Sequence, residues 1–222
     1  ENWVEIGNDV LMQYTKDAEG KYNEAKQKNI DFGGGVERTI ATLNGLEDNY
    51  LAPYFLPIIK QIEKLSEKPY KGNETSMRII ADHIKASVFI IADGILPSNT
   101  EQGYVLRRLI RRAIRHGRNI GISHFTKDIV KSVFEIYDDY DVIKKNREKI
   151  INELEKEEVR FLETLEKGIR EFEKIIKNHT KIIPGKLAFL LYQSYGFPIE
   201  ITIELAKENK IKVNKKEFNE EL

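Results

Sequence analysis

The 222-residue sequence has no cysteine, one tryptophan, two methionines and six prolines. The missing cysteines exclude a disulfide scaffold and any zinc or iron–sulfur site built on thiolates. Four histidines, His83, His116, His124 and His179, are too scattered along the chain for the ligand spacing of a metal cluster. An excess of either charge is missing as well, since 36 Lys and Arg face 36 Asp and Glu. Net charge therefore makes no case for a nucleic-acid partner, and any such case rests on how the charges are distributed. No apolar run approaches the roughly 18–20 residues that cross a bilayer, and no basic-then-apolar signal segment opens the chain. A soluble, cytoplasmic protein without a membrane partner is expected. The first residue is not methionine and already sits in a strand-like stretch, so the chain is expected to be a piece of a longer one.

What is present is a globular balance, 41% hydrophobic and 32% charged, in a length that suits one large domain or two modest ones. Residues 3–14 mix β-branched, aromatic and polar side chains, as strands do. The polar stretch 16–21 reads as a turn, giving a hairpin that returns near Ile30. A glycine-rich segment, Gly33-Gly34-Gly35, leads into a short helix over 39–43 that Gly45 closes. From about Tyr54 the pattern is helical, with apolar residues three and four apart. Pro69 to Asn73 reads as a loop with Ser76 as N-cap of the next helix, and Gly94 to Gly103 as a second loop. Residues 141–178 read as one long, solvated amphipathic helix, with Ile143, Ile150, Leu154, Phe161, Leu165, Ile169, Phe172 and Ile176 on its apolar side; its heptads are not sustained enough for a coiled coil. Pro184-Gly185 breaks it, and a shorter helical unit spans 187–206. Trp3 reads as a core aromatic.

Two stretches carry chemistry. Three glycines serve either a tight turn or a close backbone approach to an anion at a helix start. The Lys-Ser/Thr pair of a P-loop is missing, and Arg38 stands where a dinucleotide fingerprint needs its last glycine. Asp31 before the glycines and Glu37-Arg38 after them put a carboxylate and a phosphate-gripping guanidinium at the ends of one tight segment. The second stretch is Tyr104 to Arg118, with six arginines and no acid. Leu106, Leu109, Ile110, Ala113 and Ile114 share one helical arc, and Arg107, Arg108, Arg111, Arg112 and Arg115 the other. That pattern predicts binding to the phosphates of duplex or structured RNA, because aromatic stacking platforms for single strands are missing. The alternative is internal pairing with acids such as Asp138-Asp139 or Glu155 to Glu158. Asn99, in the preceding loop, can both donate to and accept from a base edge, although Pro-Ser-Asn is also a common turn. His116, at the end of this stretch, suits the negative helix terminus; His83 pairs with Asp82 or is a satisfied core group.

Taken in order, these segments resemble the alanyl-tRNA synthetases over nearly the whole chain. Trp3-Val4-Glu5-Ile6 through Met12-Gln13-Tyr14 is similar to the family's strand Glu-Ile/Leu-Trp-Asn-x-Val-Phe-Met-Gln-Phe/Tyr. Asp31-Phe32-Gly33-Gly34-Gly35-Val36-Glu37-Arg38 is similar to its class II motif 3, Asp-Thr-Gly-Met/Gly-Gly-Leu-Glu-Arg. Arg78-Ile79-Ile80-Ala81-Asp82-His83, Ala92-Asp93-Gly94, Leu96-Pro97-Ser98-Asn99 and Gly103-Tyr104-Val105-Leu106-Arg107-Arg108 follow its helical domain. Leu191-Tyr192-Gln193-Ser194-Tyr195-Gly196-Phe197-Pro198 is similar to Leu-Tyr-Asp-Thr-Tyr-Gly-Phe-Pro.

The resemblance implies a mainly α fold with a small α+β portion: the end of a class II antiparallel sheet over 1–64, then a bundle-like helical domain over 65–222. It implies activation of alanine with ATP and Mg2+, transfer to the 3′ end of tRNA(Ala), and no zinc site in this stretch. It places Asn8, Val10, Asp31 and Gly33 around alanine, with Asp31 on the α-ammonium. Arg38, Gly35 and Glu5 would serve ATP, Glu5 through Mg2+. The acceptor stem would fall to Asn99, Arg107, Arg108, Arg111, Arg112, Arg115 and Gln193, with Asn99 reading the G·U wobble pair. Two residues depart from the family pattern. Gly7 stands at the usual tryptophan and Gln193 at the usual aspartate of the wobble-reading pair. Class II motifs 1 and 2 are not among these residues, so the chain alone is expected not to form alanyl adenylate, and no catalytic side chain is assigned to it. The competing readings are a non-catalytic RNA-binding module related to the family, and a structural helical protein whose arginines pair internally.

Overall fold

The computed structural model describes residues 3–222, and the chain divides into two units, Glu1–Leu56 and Pro57–Leu222. The first is built on a hairpin. Strand β1 (Gly7–Lys16) pairs antiparallel with β2 (Tyr22–Gly34), with a register slip between Met12 and Tyr14. Asp17 makes the turn: its carboxylate accepts the Lys21 N–H at 2.7 Å and the Asn23 side-chain amide at 2.8 Å. Gly20 supplies the positive φ, +83°, that the turn requires. Helix α1 (Val36–Leu43) follows with Gly35 as its N-cap, and a 3-10 turn over Asn49–Leu51 is capped by Asp48. Two strands have no second layer of their own, so the hairpin's apolar side chains stay in solvent. The core placement expected for Trp3 is corrected on this point, because its exposure is 94%.

The second unit is helical. Helix α2 (Leu56–Ser66) leads through the loop to α3 (Glu74–Ala92), which packs along α4 (Glu101–Ile120). The expected cap is corrected here: Asn73 is the N-cap of α3, and Ser76 sits inside the first turns. Glycine is required at 103, where a Cβ would strike Ser98 Oγ in the loop that turns the chain into α4. Helix α5 (Thr126–Ile136) precedes α6 (Asp141–Asn178), a 38-residue rod that packs against α3, α4, α5 and α7 (Gly185–Tyr195).

Helix α6 has the expected bounds, but it is more than a solvated rod. Ile143, Ile150, Leu154, Phe161, Leu165 and Phe172 are buried, and Gly168 and Ile175 lie on the seam where 169 and 176 were expected. The buried positions advance by threes, fours and sevens, as a 3.6-residue period requires. Glu157 and Glu158 fall on that seam and are 2% exposed. The unit expected over 187–206 is two helices, α7 and α8 (Ile199–Glu208), separated at Gly196, whose φ is +65°. A two-residue parallel pair, β3 (Ile182–Ile183) with β4 (Lys212–Val213), ties the C-terminal helix α9 (Lys215–Glu221) back to the end of α6.

Candidate functional site

The hairpin register decides what shares a face. Asn8 is opposite Gly33, and Val10 is opposite Asp31. Directly opposed residues, and residues two apart on one strand, point to the same side of a sheet. Asn8, Val10, Asp31 and Gly33 therefore lie on one side of the hairpin, and Gly7, Asp9, Phe32 and Gly34 on the other. Asp31 is exposed, and its carboxylate has no hydrogen-bond or ion-pair partner among the described residues. A Cβ at Gly33 would meet nothing within 4 Å, so the face is open at that point. At the hairpin's end, the Gly35 N–H donates to the Ile6 carbonyl at 2.9 Å, and Arg38 Nη1 donates to the Glu5 carbonyl at 3.1 Å. These two bonds gather Glu5, Gly35 and Arg38 at the start of α1. The Arg38 side chain runs close past Gly35, where a Cβ would sit 3.3 Å from Arg38 Cδ.

The arginines of α4 all meet carboxylates. Glu157 of α6 takes Arg111 Nε at 2.6 Å and Arg107 Nε at 3.2 Å. Glu200 of α8 takes Arg108 at 2.7 Å. Glu204 takes Arg112 at 3.0 Å and Arg115 at 2.8 Å, and Arg115 also reaches Glu208 at 2.6 Å. Internal pairing was the alternative for these arginines. Its acids are Glu157, which lies in the expected 155–158 segment, three from α8 and, for Arg118, Glu166 of α6, with no pair from Asp138 or Asp139 to α4 among the described residues. Exposure grades the five arginines: Arg108 and Arg112 keep 35% and 34% of their side chains in solvent, whereas Arg115 keeps 2%. Arg115 is thus a strut between α4 and α8.

His116 is not at the helix end. It is buried within α4, facing Ser76 Oγ at 3.1 Å and Glu204 at 3.3 Å. His83 does meet Asp82, at 2.8 Å, and its other ring nitrogen faces Arg112 at 3.1 Å. Burial pushes the Glu204 carboxyl up, but hydrogen bonds from His116 and Arg112 and the charges of Arg115 and Arg112 outweigh it and hold it well below the usual carboxylate range. Burial and the adjacent Glu200 push the Tyr104 phenol up to about 12.

One pocket brings sequence-predicted residues together from both ends of the unit. Asn99, Tyr104, Arg107 and Arg111 line it with Tyr192, Gln193, Gly196 and Pro198. Arg107 Nη1 donates to Asn99 Oδ1, which leaves the Asn99 amide N–H groups directed elsewhere. Arg111 Nη1 donates to the Gly196 carbonyl, and a Cβ at 196 would collide with that nitrogen, so glycine is needed there for close approach as well as for its positive φ. Sequence reasoning placed Glu157 and Glu158 within a candidate pairing segment but missed Glu200, Glu204 and Glu208 of α8.

The profile of tRNA synthetases class II (A) matches residues 1–222. Alanine–tRNA ligase of Borreliella afzelii (strain PKo) is 49% identical over 226 residues, covering 98% of this chain and 38% of the relative. The chain belongs to the alanyl-tRNA synthetase family. Alanine–tRNA ligases of Thermotoga maritima and Prochlorococcus marinus (strain MIT 9312) are 45% and 41% identical, covering 98% and 100% of this chain and 26% of each relative. The chain thus spans between 26% and 38% of these relatives' lengths.

The space beside Gly7 is taken. The Phe32 ring lies across Gly7 and Gly34, and a Cβ on Gly7 would come within 2.9 Å of it. Among the described residues of this synthetase chain, no group of three or more His, Asp or Glu is placed to hold a metal. No helix among the described residues is long and apolar enough to cross a membrane.

Proposed function

We propose that this chain belongs to an alanine–tRNA ligase, in which residues 1–64 supply part of the alanine and ATP site and residues 65–222 dock the acceptor stem of tRNA(Ala) in the cytoplasm. On the open face of the hairpin, Asp31 holds the α-ammonium of alanine by a charge-assisted contact, and Asn8, Val10 and Gly33 form the small pocket around the methyl group. Arg38 keeps guanidinium donors beyond the one given to Glu5, and with Gly35 at the start of α1 it suits an anion such as the ATP phosphates. Glu5 offers one carboxylate, which fits Mg2+ held mainly by nucleotide phosphates and water. ATP with Mg2+ supplies the leaving group for adenylate formation; the chain's own residues bind and orient. Adenylate formation itself requires the rest of the enzyme.

The observation that carries the RNA reading is the pocket that Asn99 and Gln193 line together with Arg107 and Arg111. Two amides that donate and accept suit a base edge, and flanking guanidinium groups suit phosphates. The contacts expected of Arg107, Arg108, Arg111 and Arg112 are made from arginines already oriented by Glu157, Glu200 and Glu204. Preorganisation of this kind lowers the ordering cost of binding. Arg115 contributes by holding the helices together. The test compares acceptor-stem hairpins carrying G·U or G·C at the recognised pair. Asn99→Ala is expected to reduce the preference for G·U by about tenfold, on the order of one bidentate contact, with a smaller loss of affinity for G·C. Equal losses on both stems would remove Asn99 from base recognition. The internal pairing of all five arginines favours one competing reading, a purely structural helix pair, and an affinity for the hairpins that ignores salt would support it.

A further inference from the structure

A second pocket opens beside the first, on the neighbouring stripe of α4. The Asn99 pocket uses Arg107 and Arg111, whereas this one uses Arg108 and Arg112, one residue further round the helix, with Lys207 of α8 and Lys215 of α9. Four cationic side chains and two carboxylates, Glu200 and Glu204, line it. Both carboxylates are already matched. Glu200 takes Arg108 at 2.7 Å and the Tyr104 hydroxyl at 3.3 Å. Glu204 takes Arg112, Arg115 and His116. Neither Lys207 nor Lys215 has a carboxylate partner among the described residues, and both are exposed. In a chain whose charges balance overall, two cations without partners converge on one concavity whose acids are already engaged. Such a pocket has positive potential left over for an anion.

We propose that this second pocket seats a backbone phosphate of the bound RNA, with Lys207 and Lys215 as its principal contacts and Arg108 and Arg112 as its wall. The inference rests on the acceptor-stem reading above and extends it to residues outside the arginine stripe. The Tyr104–Glu200–Arg108 chain of contacts joins the two pockets. A strand whose base edge enters the first therefore carries a neighbouring phosphate past the second. Duplex RNA is held in this manner, by base edges and 2′-hydroxyls in the shallow groove and by phosphates beside it. The lysines contribute to affinity and not to choice of base, because phosphates carry no direct sequence information.

The test uses the 222-residue chain, G·U and G·C hairpins, and a salt series. Lys207→Gln with Lys215→Gln is expected to weaken both hairpins several-fold and equally, and to reduce the slope of log affinity against log salt by about one to two. Melting temperature is expected to be unchanged, since both side chains are exposed and unpaired; the single variants, each with about half the effect, guard against a folding artefact. Unchanged affinity and slope in the double variant, with Asn99→Ala still losing its G·U preference, overturns the second pocket and leaves the acceptor-stem reading standing. No hairpin binding by the parent chain overturns both. Inorganic pyrophosphate bound by the parent and not by the double variant, with hairpin affinity the same in both, assigns the pocket to a free anion and overturns the RNA proposal.

Discussion

Single carboxylates decide how the arginines of α4 behave. Glu204 gathers Arg112, Arg115 and His116, and its carboxyl is held well below the usual range despite partial burial. A depressed carboxyl contributes stability that is complete above the ordinary carboxylate range and is lost as pH falls through the folded value. Glu204→Gln is therefore expected to lower the melting temperature most near neutral pH, with the gap to the parent closing below about pH 4. A gap independent of pH would place the effect in packing instead of charge. The partners of these arginines were legible only in part: Glu157 lies in the 155–158 segment expected for pairing, whereas the acids of α8 were not foreseen. Arg112 and Glu204 lie 92 positions apart, and no local pattern announces such a pair. The arginine stripe itself was legible, because its 3.6-residue period separates it from Leu106, Ile110, Ala113 and Ile114. Sequence reasoning could place that stripe on one face of a helix but not decide what faced it.

At the scale of elements, α6 organises the second unit. Its apolar seam packs on four helices, and the carboxylates of Glu157 and Glu158 are set into that seam for different uses. Glu158 caps α5, accepting the backbone N–H groups of Phe125 at 3.0 Å and Thr126 at 3.1 Å and the Thr126 hydroxyl at 2.6 Å. Removing a buried cap leaves orphaned donors at a helix start. Glu158→Ala is expected to destabilise the chain by at least about 2 kcal/mol in denaturant unfolding; a loss within about 0.5 kcal/mol, the range of ordinary surface substitutions, would show that water replaces the cap. The extent of α6 could be read to the residue because a long amphipathic period is a strong signal. The split between α7 and α8 was harder to read, since Gly196 interrupts a run that is apolar on both sides. Ser76 looked like a cap because serine often is one, yet its hydroxyl faces a histidine from another helix.

At the scale of the molecule, the mainly α fold with a small antiparallel portion was legible from the change of hydrophobic period near residue 54. The exposure of Trp3 was not, because a strand-like sequence does not reveal whether a second layer covers it. The two candidate sites also differed in legibility. Asn8, Val10, Asp31 and Gly33 come together through strand register, which short-range pattern largely determines. Asn99 and Gln193 come to line one pocket only through long-range packing. The contacts Arg108–Glu200, Arg112–Glu204 and Arg111–Gly196 hold α4 beside α8 and the end of α7. The central claim is that this packing makes a surface for structured RNA. It is tested most directly by titrating the 222-residue chain with an acceptor-stem hairpin between about 50 and 200 mM salt. Affinity is expected to fall steeply and log-linearly over that range and to favour G·U over G·C throughout. Binding that is absent, or that neither responds to salt nor distinguishes the two stems, would contradict it.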